Sequence, residues 1–145
     1  MTKIVINKRI GGFGLSYFGL TEYAKRKDLT LYFYDEGMDD NLYKLKDENA
    51  LLDDYIATYQ YTKDFGDVVN KDYVILKCSE YYFSPYDISR TDTALIEIIE
   101  EFGSEKISST YSLLKIVEIP NDVKWDIEES EEGIEWISEK HRIWG

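Results

Sequence analysis

The stretch that decides the fold is TDTALIEIIEEFG, residues 91–103, because it predicts one well-formed amphipathic helix. Thr91 or Asp92 offers an N-terminal cap, and Gly103 supplies a left-handed stop. Four apolar residues recur at the i, i+3, i+4 and i+7 spacing of a helix face that packs on a core: Leu95, Ile98, Ile99 and Phe102. The glutamates off this stripe are its expected solvated face: Glu97, Glu100 and Glu101.

Upstream of this helix, the sequence predicts two strands on either side of a glycine turn and a second helix. Residues 3–7 are a β-branched run, and residues 30–34 are a second run rich in strand formers. Between them, Ser16 offers a cap for a helix over residues 17–27. Residues 35–71 mix acids with scattered Tyr and Leu, and we expect loops there with one or two short strands or turns.

Segments before and after this helix predict further strands. Residues 72–79 and 113–119 are apolar runs, and we expect both to be strands, the second of them buried. Residues 125–129 alternate in polarity, and Gly133 marks a turn before residues 134–138. This pattern predicts a C-terminal β-hairpin with an acidic face.

Composition indicates one folded domain. The chain has 145 residues, of which 43% are hydrophobic and 15% aromatic, too many for a disordered segment. We expect an α+β fold over residues 1–145, with a mixed or antiparallel sheet, two main helices and the C-terminal β-hairpin. The one cysteine, Cys78, excludes an intrachain disulfide and is expected to be a small buried hydrophobe. No apolar stretch reaches the length of a membrane span or a signal-peptide core, so we expect a cytoplasmic protein.

The formal charge of −12 is distributed unevenly along the chain. Residues 1–34 carry six Lys/Arg against two acids, whereas residues 118–139 carry nine acids against one lysine. This bias disfavours DNA, RNA and anionic membranes as partners, because binding them needs clustered positive charge. It favours a partner protein with a basic surface, while simple solubility and homo-oligomer formation stay open as alternatives.

The glycine turn is the first candidate site. In the order strand, glycine loop, helix, backbone N–H groups can point at a phosphate, and the adjacent Lys8 and Arg9 would attract it. Gly11, Gly12 and Gly14 would then cradle a nucleotide or phosphate ligand. The residue order matches neither the Walker pattern nor the full dinucleotide fingerprint, so a purely structural turn is the alternative.

The acidic hairpin is the second candidate site. Residues two apart on a strand point the same way and stand about 6–7 Å apart, so a row of carboxylates roughly imitates the phosphates of DNA. Such a surface suits a nucleic-acid-binding groove, and the alternative is a solvated face that limits aggregation. The candidate partner-binding residues are Asp126, Glu128, Glu131, Glu132, Glu135 and Trp136.

The C-terminal segment is the third candidate, because it places the only histidine, His141, beside Arg142 and Trp144. Without a second histidine or more cysteines, a zinc site would need an unusual set of carboxylates. No nucleophile motif such as Gly-x-Ser-x-Gly accompanies His141, so we predict no catalytic residue, no metal site and no cofactor. We expect Trp144 to pack on the core and Arg142 to pair with an acid, with a further role left open.

Several segments resemble a family of small, largely uncharacterised phage and prophage proteins. The matching pieces are KIVIN at residues 3–7, GGFGLS at 11–16, and residues 82–84, 87–90, 115–120, 135–136, 139–142 and 144. The resemblance implies a phage or prophage setting and a location in the bacterial host cytoplasm. It carries no established activity.

The leading hypothesis is a non-enzymatic binding protein that uses its acidic hairpin and exposed tyrosines. In a phage setting, such a protein is a candidate inhibitor of a host defence or nucleic-acid-binding protein, including restriction and CRISPR effectors with basic grooves. The alternative from another class is a nucleotide- or phosphate-binding protein or small enzyme that uses the loop of residues 11–14. An oligomer whose only role is assembly is a third hypothesis.

Overall fold

Short strands and helices follow one another along the chain in the manner of an α+β protein. The structure is a computed structural model that describes residues 1–45 and 58–140. Its strands are β1 (Thr2–Asn7), β2 (Tyr32–Glu36), β3 (Asn41–Lys44), β4 (Thr58–Tyr61), β5 (Val68–Asn70), β6 (Leu114–Ile119), β7 (Trp125–Glu129) and β8 (Glu135–Glu139). Its α-helices are α1 (Tyr17–Arg26), α2 (Lys71–Lys77), α3 (Thr93–Phe102) and α4 (Ser104–Ile107).

The two predicted helices, α1 and α3, are confirmed, and each begins where a side chain caps it. At the start of α1, the Ser16 hydroxyl accepts a hydrogen bond from the Gly19 N–H at 2.9 Å. At the start of α3, the Asp92 carboxylate accepts the N–H groups of Ala94 at 2.8 Å and Leu95 at 3.2 Å. These bonds satisfy backbone donors that have no partner inside the first turn of a helix. The caps therefore fix where both helices begin.

The described strands pair antiparallel in three sheets. β1 pairs with β6, and β4, β2, β3 and β5 form a four-stranded sheet in that order. β7 and β8 form the predicted C-terminal hairpin, in which Glu128 lies opposite Trp136. The predicted α+β class, with antiparallel sheets and a C-terminal β-hairpin, is thus confirmed.

The four-stranded sheet contributes to two cores, because successive residues of a strand point to opposite faces. On one face, Phe33 joins a largely aliphatic core built around α1, α3 and β1. On the other face, Tyr34 and Leu42 join a smaller, tyrosine-rich cluster that includes Val74 of α2. The buried Tyr34 hydroxyl accepts the Phe65 N–H at 2.8 Å, which satisfies its polar tip. Part of the tyrosine excess therefore belongs to the core.

The strand predicted over residues 72–79 is wrong, because this segment forms α2. The helix begins at a capping residue, Asn70, whose side chain accepts a backbone N–H. Val74 and Cys78 are buried at a spacing of four residues, whereas Leu76 between them is 75% exposed. A strand buries alternate residues, while a helical turn buries the i and i+4 pair. Cys78 is buried as predicted, but it follows a helix.

Three other strand predictions differ from the structure in detail. The strand predicted over residues 30–34 begins two residues later, as β2. Residues 35–71 contain three further short strands, β3, β4 and β5, while residues 46–57 lie outside the described part. The strand predicted over residues 113–119 is confirmed as β6, but of its residues only Leu114 is fully buried. β6 is therefore an exposed edge of the β1–β6 pair.

The helices in the two described ranges are short. The longest, α1 and α3, have ten residues each, whereas about 20 are needed to cross a bilayer. None of them is long and apolar enough to do so.

Candidate functional site

One buried carboxylate fastens the β7–β8 hairpin to the rest of the protein. Glu135 is 3% exposed and forms a bidentate ion pair with Arg90, with Nη1–Oε1 at 2.6 Å and Nη2–Oε2 at 2.8 Å. It also accepts the Asn7 backbone N–H at 2.7 Å, and the Arg90 guanidinium lies 3.7 Å from the centre of the Phe13 ring. A buried charge is tolerated when it is both paired and hydrogen-bonded. Glu135 therefore cannot belong to the exposed partner-binding surface predicted for it.

Arg90 and Glu135 form hydrogen bonds with backbone groups along the edge of β1 that does not pair with β6. The Val5 N–H donates to the Arg90 carbonyl at 2.8 Å, and the Arg90 guanidinium donates to the Val5 carbonyl at 3.2 Å. The next N–H on this edge is that of Asn7, which reaches Glu135. Val5 and Asn7 are fully buried, so unpaired backbone groups there would destabilise the fold. The ion pair thus completes the hydrogen bonding of a buried strand.

The Asn7 side chain organises the loops around this ion pair. Its amide donates to the carbonyl oxygens of Arg9 at 2.7 Å and Gly133 at 2.8 Å, and its oxygen accepts the Leu113 N–H at 2.9 Å. These bonds tie the end of β1 to the hairpin turn and to the segment before β6. The polar cluster is defined here as Asn7, Arg90 and Glu135.

The glycine loop packs against the turn of the hairpin. The Gly11 N–H donates to the Glu132 carbonyl at 2.8 Å. A Cβ on Gly133, whose φ is +95°, would lie 2.8 Å from the Gly12 Cα. A Cβ on Gly11, whose φ is +126°, would lie 2.6 Å from the Tyr111 carbonyl oxygen. Both the positive φ angles and the close approaches need glycine, so this turn has a structural role.

Lys8 and Arg9 lie between β1 and the glycine loop. Both are exposed, and the Arg9 guanidinium donates to the Thr110 carbonyl at 3.2 Å. Gly14 lies against the Ser109 side chain, where an added Cβ would meet the hydroxyl at 2.8 Å. Packing therefore explains the glycines, and a nucleotide or phosphate site at this loop stays a prediction.

The outward side of the hairpin is acidic and carries one exposed indole. Glu128 and Trp136 lie opposite each other, and the Trp136 indole N–H donates to the Glu128 carboxylate at 3.1 Å. Trp136 is 43% exposed, and the side chains of Asp126, Glu128, Glu131 and Glu132 on the same hairpin are exposed as well. The acid face is defined here as Asp126, Glu128, Glu131, Glu132 and Trp136.

Among the described residues, few cations contact the acid face. Within residues 1–45 and 58–140, its one ion pair joins Asp126 to Lys140 at 3.7 Å. The glutamates of α3 differ, because Glu100 pairs with Lys3 at 3.1 Å and Arg26 pairs with the other two. The acids of α3 are thus paired with cations of the chain, whereas among the described residues only one acid of the acid face has an ion-pair partner.

A second buried polar contact joins α1 to α3 and serves the fold. The Tyr23 hydroxyl donates to Asp92 Oδ2 at 3.0 Å, and Lys27 Nζ lies 2.9 Å from the same oxygen. Burial, followed by the hydrogen bond to Asp92 and its negative charge, raises the pKa of Tyr23 to about 12. Burial alone would raise the pKa of Asp92, but Lys27 and the hydrogen bonds from Leu95 and Tyr23 outweigh it and lower that pKa. The contact thus reinforces the cap of α3.

The third candidate segment cannot be placed. His141, Arg142 and Trp144 lie outside the described residues, so their roles stay predictions. Elsewhere in the described chain, no group of three His, Cys, Asp or Glu side chains is arranged to hold a metal ion.

Sequence reasoning missed the roles of Asn7 and Arg90. Glu135 lies 128 residues from Asn7 and 45 residues from Arg90, so no spacing rule connects them. All three residues belong to segments on which the predicted resemblance to phage proteins rests.

Comparisons of this chain with known protein families, with curated proteins and with solved structures find no match. The resemblance to phage and prophage proteins therefore stays a prediction, and function has to be inferred from the geometry of the molecule.

Proposed function

We propose that this protein is a non-enzymatic binding protein whose acid face contacts a basic surface of a partner protein. The observation that carries the proposal is that one hairpin presents four exposed carboxylates and a half-exposed tryptophan, with one ion pair to these carboxylates among the described residues. An aromatic anchor surrounded by charged groups is a frequent arrangement at protein interfaces. The carboxylates would attract the partner, and Trp136 would supply the buried contact.

The spacing of the carboxylates favours a partner that itself binds nucleic acid. Asp126 and Glu128 are two residues apart on β7, so they point the same way with about 6–7 Å between them. Lysines and arginines that line a DNA or RNA groove are placed to meet rows of negative charge. A host-defence effector with such a groove is the partner that the phage resemblance suggests.

The polar cluster supports this proposal by holding the hairpin in place. Glu135 is bound on three sides, by both Arg90 nitrogens and by the Asn7 N–H. The hydrogen bond between Trp136 and Glu128 likewise orients the indole. A surface ordered before binding loses less conformational entropy when the partner docks.

The test compares partner capture by two charge-matched variants. The first neutralises the acid face and combines Asp126→Asn, Glu128→Gln and Glu131→Gln. The second neutralises three exposed acids elsewhere and combines Asp72→Asn, Glu80→Gln and Glu105→Gln. Each removes three negative charges, and Gln at position 128 keeps an acceptor for the Trp136 N–H. Both are immobilised beside the wild type and exposed, at low salt, to the heparin-binding proteins of a bacterial lysate.

We expect the wild type and the second variant to retain the same basic proteins. The acid-face variant should retain at least about tenfold less, because three charge contacts are removed together. Retention should also fall as salt is raised. Equal capture by all three proteins would contradict the acid face as the contact, and equal loss in both variants would assign the effect to bulk charge.

A further inference from the structure

A group of exposed tyrosines lies beside the glycine loop. Tyr86 and Tyr111 are 67% and 66% exposed. The Tyr111 Cβ lies 2.7 Å from a Cβ position built on Gly11, and the Tyr86 hydroxyl lies 3.7 Å from one built on Gly12. The two side chains thus approach consecutive residues of the loop, both of which are glycines.

Tyr82 extends this group toward the four-stranded sheet. It is 44% exposed, and its ring packs edge-on against Tyr61 with centroids 5.6 Å apart. Burial, followed by the nearby Tyr59, Tyr86 and Asp87, raises the pKa of Tyr82. The tyrosine strip is defined here as Tyr82, Tyr86 and Tyr111.

The rings of the strip are exposed, but two of them pack against buried aromatic rings. The Tyr86 ring lies 6.4 Å from the buried Phe13 ring, and Tyr82 contacts the buried Tyr61. Exposed rings that already pack against neighbouring rings lose little freedom on binding, and tyrosine is enriched at interfaces. The strip is therefore suited to contact a partner.

Negative charge borders the strip. Asp87 follows Tyr86 directly and is exposed. At the other end, Glu131 and Glu132 lie in the hairpin turn, whose backbone bonds to Gly11. Within the molecule, the Arg90 guanidinium already lies on the Phe13 ring, so aromatic rings beside acids here accommodate arginine. Lys8 and Arg9 also lie beside the loop, where the Arg9 guanidinium donates to the Thr110 carbonyl. With three acids against these two cations, the border of the strip stays net negative, which favours a basic ligand.

We propose that the tyrosine strip binds an arginine-rich segment of a protein partner, with guanidinium groups stacked on the rings and paired with Asp87, Glu131 and Glu132. The inference extends the proposed function to a surface that adjoins the acid face at Glu131 and Glu132, and it rests on the proposed function for the charge of the partner. Arginine is favoured over lysine because its planar guanidinium stacks on aromatic faces and pairs with carboxylates through two bonds. Single-stranded nucleic acid also stacks on such rings, but the net charge of −12 repels it.

The experiment measures binding of defined probes to the full chain by fluorescence anisotropy at low salt. The probes are a short labelled peptide of alternating arginine and glycine, its lysine counterpart, and a short oligothymidylate. We expect the arginine peptide to bind more tightly than the lysine peptide and the oligothymidylate not to bind. Tyr86→Ala combined with Tyr111→Ala should weaken the arginine peptide about tenfold. Alanine at position 111 keeps the Cβ that contacts the loop.

Two further variants separate this inference from the proposed function. Tyr73→Ala removes a 54% exposed tyrosine on α2 and should leave binding unchanged. Asp126→Asn with Glu128→Gln alters the acid face away from the strip and should weaken the arginine peptide less than the double tyrosine variant. Should Tyr86→Ala disturb folding, Tyr86→Leu with Tyr111→Leu preserves apolar bulk and should lose the preference for arginine over lysine.

Three outcomes would overturn the inference. One is unchanged peptide binding in the double tyrosine variant, and another is an equal loss in Tyr73→Ala. The third is tyrosine-dependent binding of oligothymidylate in place of the peptide. Loss confined to the Asp126 and Glu128 variant would remove the strip while the proposed function stands. Loss confined to the tyrosine variant would support the strip, and the acid face is then tested separately by the partner capture described above.

Discussion

Glu128 and Glu135 lie on the two strands of one hairpin, but their surroundings give them different roles. Glu135 points toward β1, is 3% exposed, and bonds to Arg90 and to the Asn7 N–H. Glu128 points away, is exposed, and bonds to the Trp136 indole. The alternation of the strands thus divides the acidic hairpin into a side that holds the fold and a side open to a partner.

Removing the buried charge should produce the largest effect. Glu135→Gln leaves the largely buried Arg90 guanidinium, 17% exposed, without its counter-charge, so we expect the free energy of unfolding to fall by about 3–5 kcal/mol. Glu128→Gln is the matched control and should change it by no more than about 0.5 kcal/mol, because the side chain is exposed. Urea denaturation followed by tryptophan fluorescence measures both. Similar losses in the free energy of unfolding of the two variants would contradict the division of the hairpin into a buried and an exposed side.

The close approach of hairpin turn and glycine loop should give the next largest effect. Gly133→Ala combines a φ of +95° with a Cβ that meets the Gly12 backbone, and we expect a loss of about 2–3 kcal/mol. Gly66→Ala is the control, because its φ is +89° but nothing lies within 4 Å of the added Cβ. That change should cost about 1 kcal/mol through backbone conformation alone. Equal losses of stability in the two variants would show that the close approach to the Gly12 backbone does not contribute.

The contrast between buried and exposed polar groups should also appear in the pH dependence of stability. The Tyr23 pKa is about 12 in the folded protein and near 10 in the unfolded chain, so the folded state binds more protons between these values. Its contribution is complete below pH 10 and is lost as pH rises through 12. We expect a loss of about 1 kcal/mol from pH 10 to 11.

This pH dependence is measured by urea denaturation of the wild type and of Tyr23→Phe, in which the loss should be smaller by about 1 kcal/mol, because other tyrosines with a raised pKa, such as Tyr82, remain. Tyr111→Phe changes an exposed tyrosine and should keep the wild-type profile. The same slope in wild type and Tyr23→Phe would show that Tyr23 is not responsible.

Neutralising the acid face should have the smallest effect on stability. For the combination of Asp126→Asn, Glu128→Gln and Glu131→Gln, we expect a change in the free energy of unfolding within about 0.5 kcal/mol. These residues have one ion pair between them in the described chain, at 3.7 Å to Lys140. A loss of several kcal/mol would mean that the acid face supports the fold and is not reserved for a partner.

The elements that were predictable are those in which the deciding residues lie next to one another. The α3 helix is specified within residues 91–103, by the Asp92 cap and by an apolar stripe that is buried in the structure. The hairpin was equally predictable from the sequence, because the polarity of its residues alternates and Gly133 provides the turn. In each case local chemistry and the final packing agree.

The elements that were missed depend on contacts distant in sequence. The run around Val74 is short enough to suit a strand or a helix, and its burial against the four-stranded sheet decides in favour of the helix. The burial of the Glu135 carboxylate depends on its bonds to Arg90 and Asn7, which are 45 and 128 residues away in sequence. The acid face was therefore predictable as a charged surface, but the one glutamate that belongs to the fold was not distinguishable from the others.

The most direct test of the two-sided hairpin is the affinity of a captured basic partner for the acid-face variant. Isothermal titration would use Asp126→Asn with Glu128→Gln and Glu131→Gln, on protein whose urea midpoint matches the wild type. We predict that this fully folded variant binds the partner about tenfold or more weakly than the wild type. Wild-type affinity in the folded variant would contradict the assignment of the outward side to partner binding.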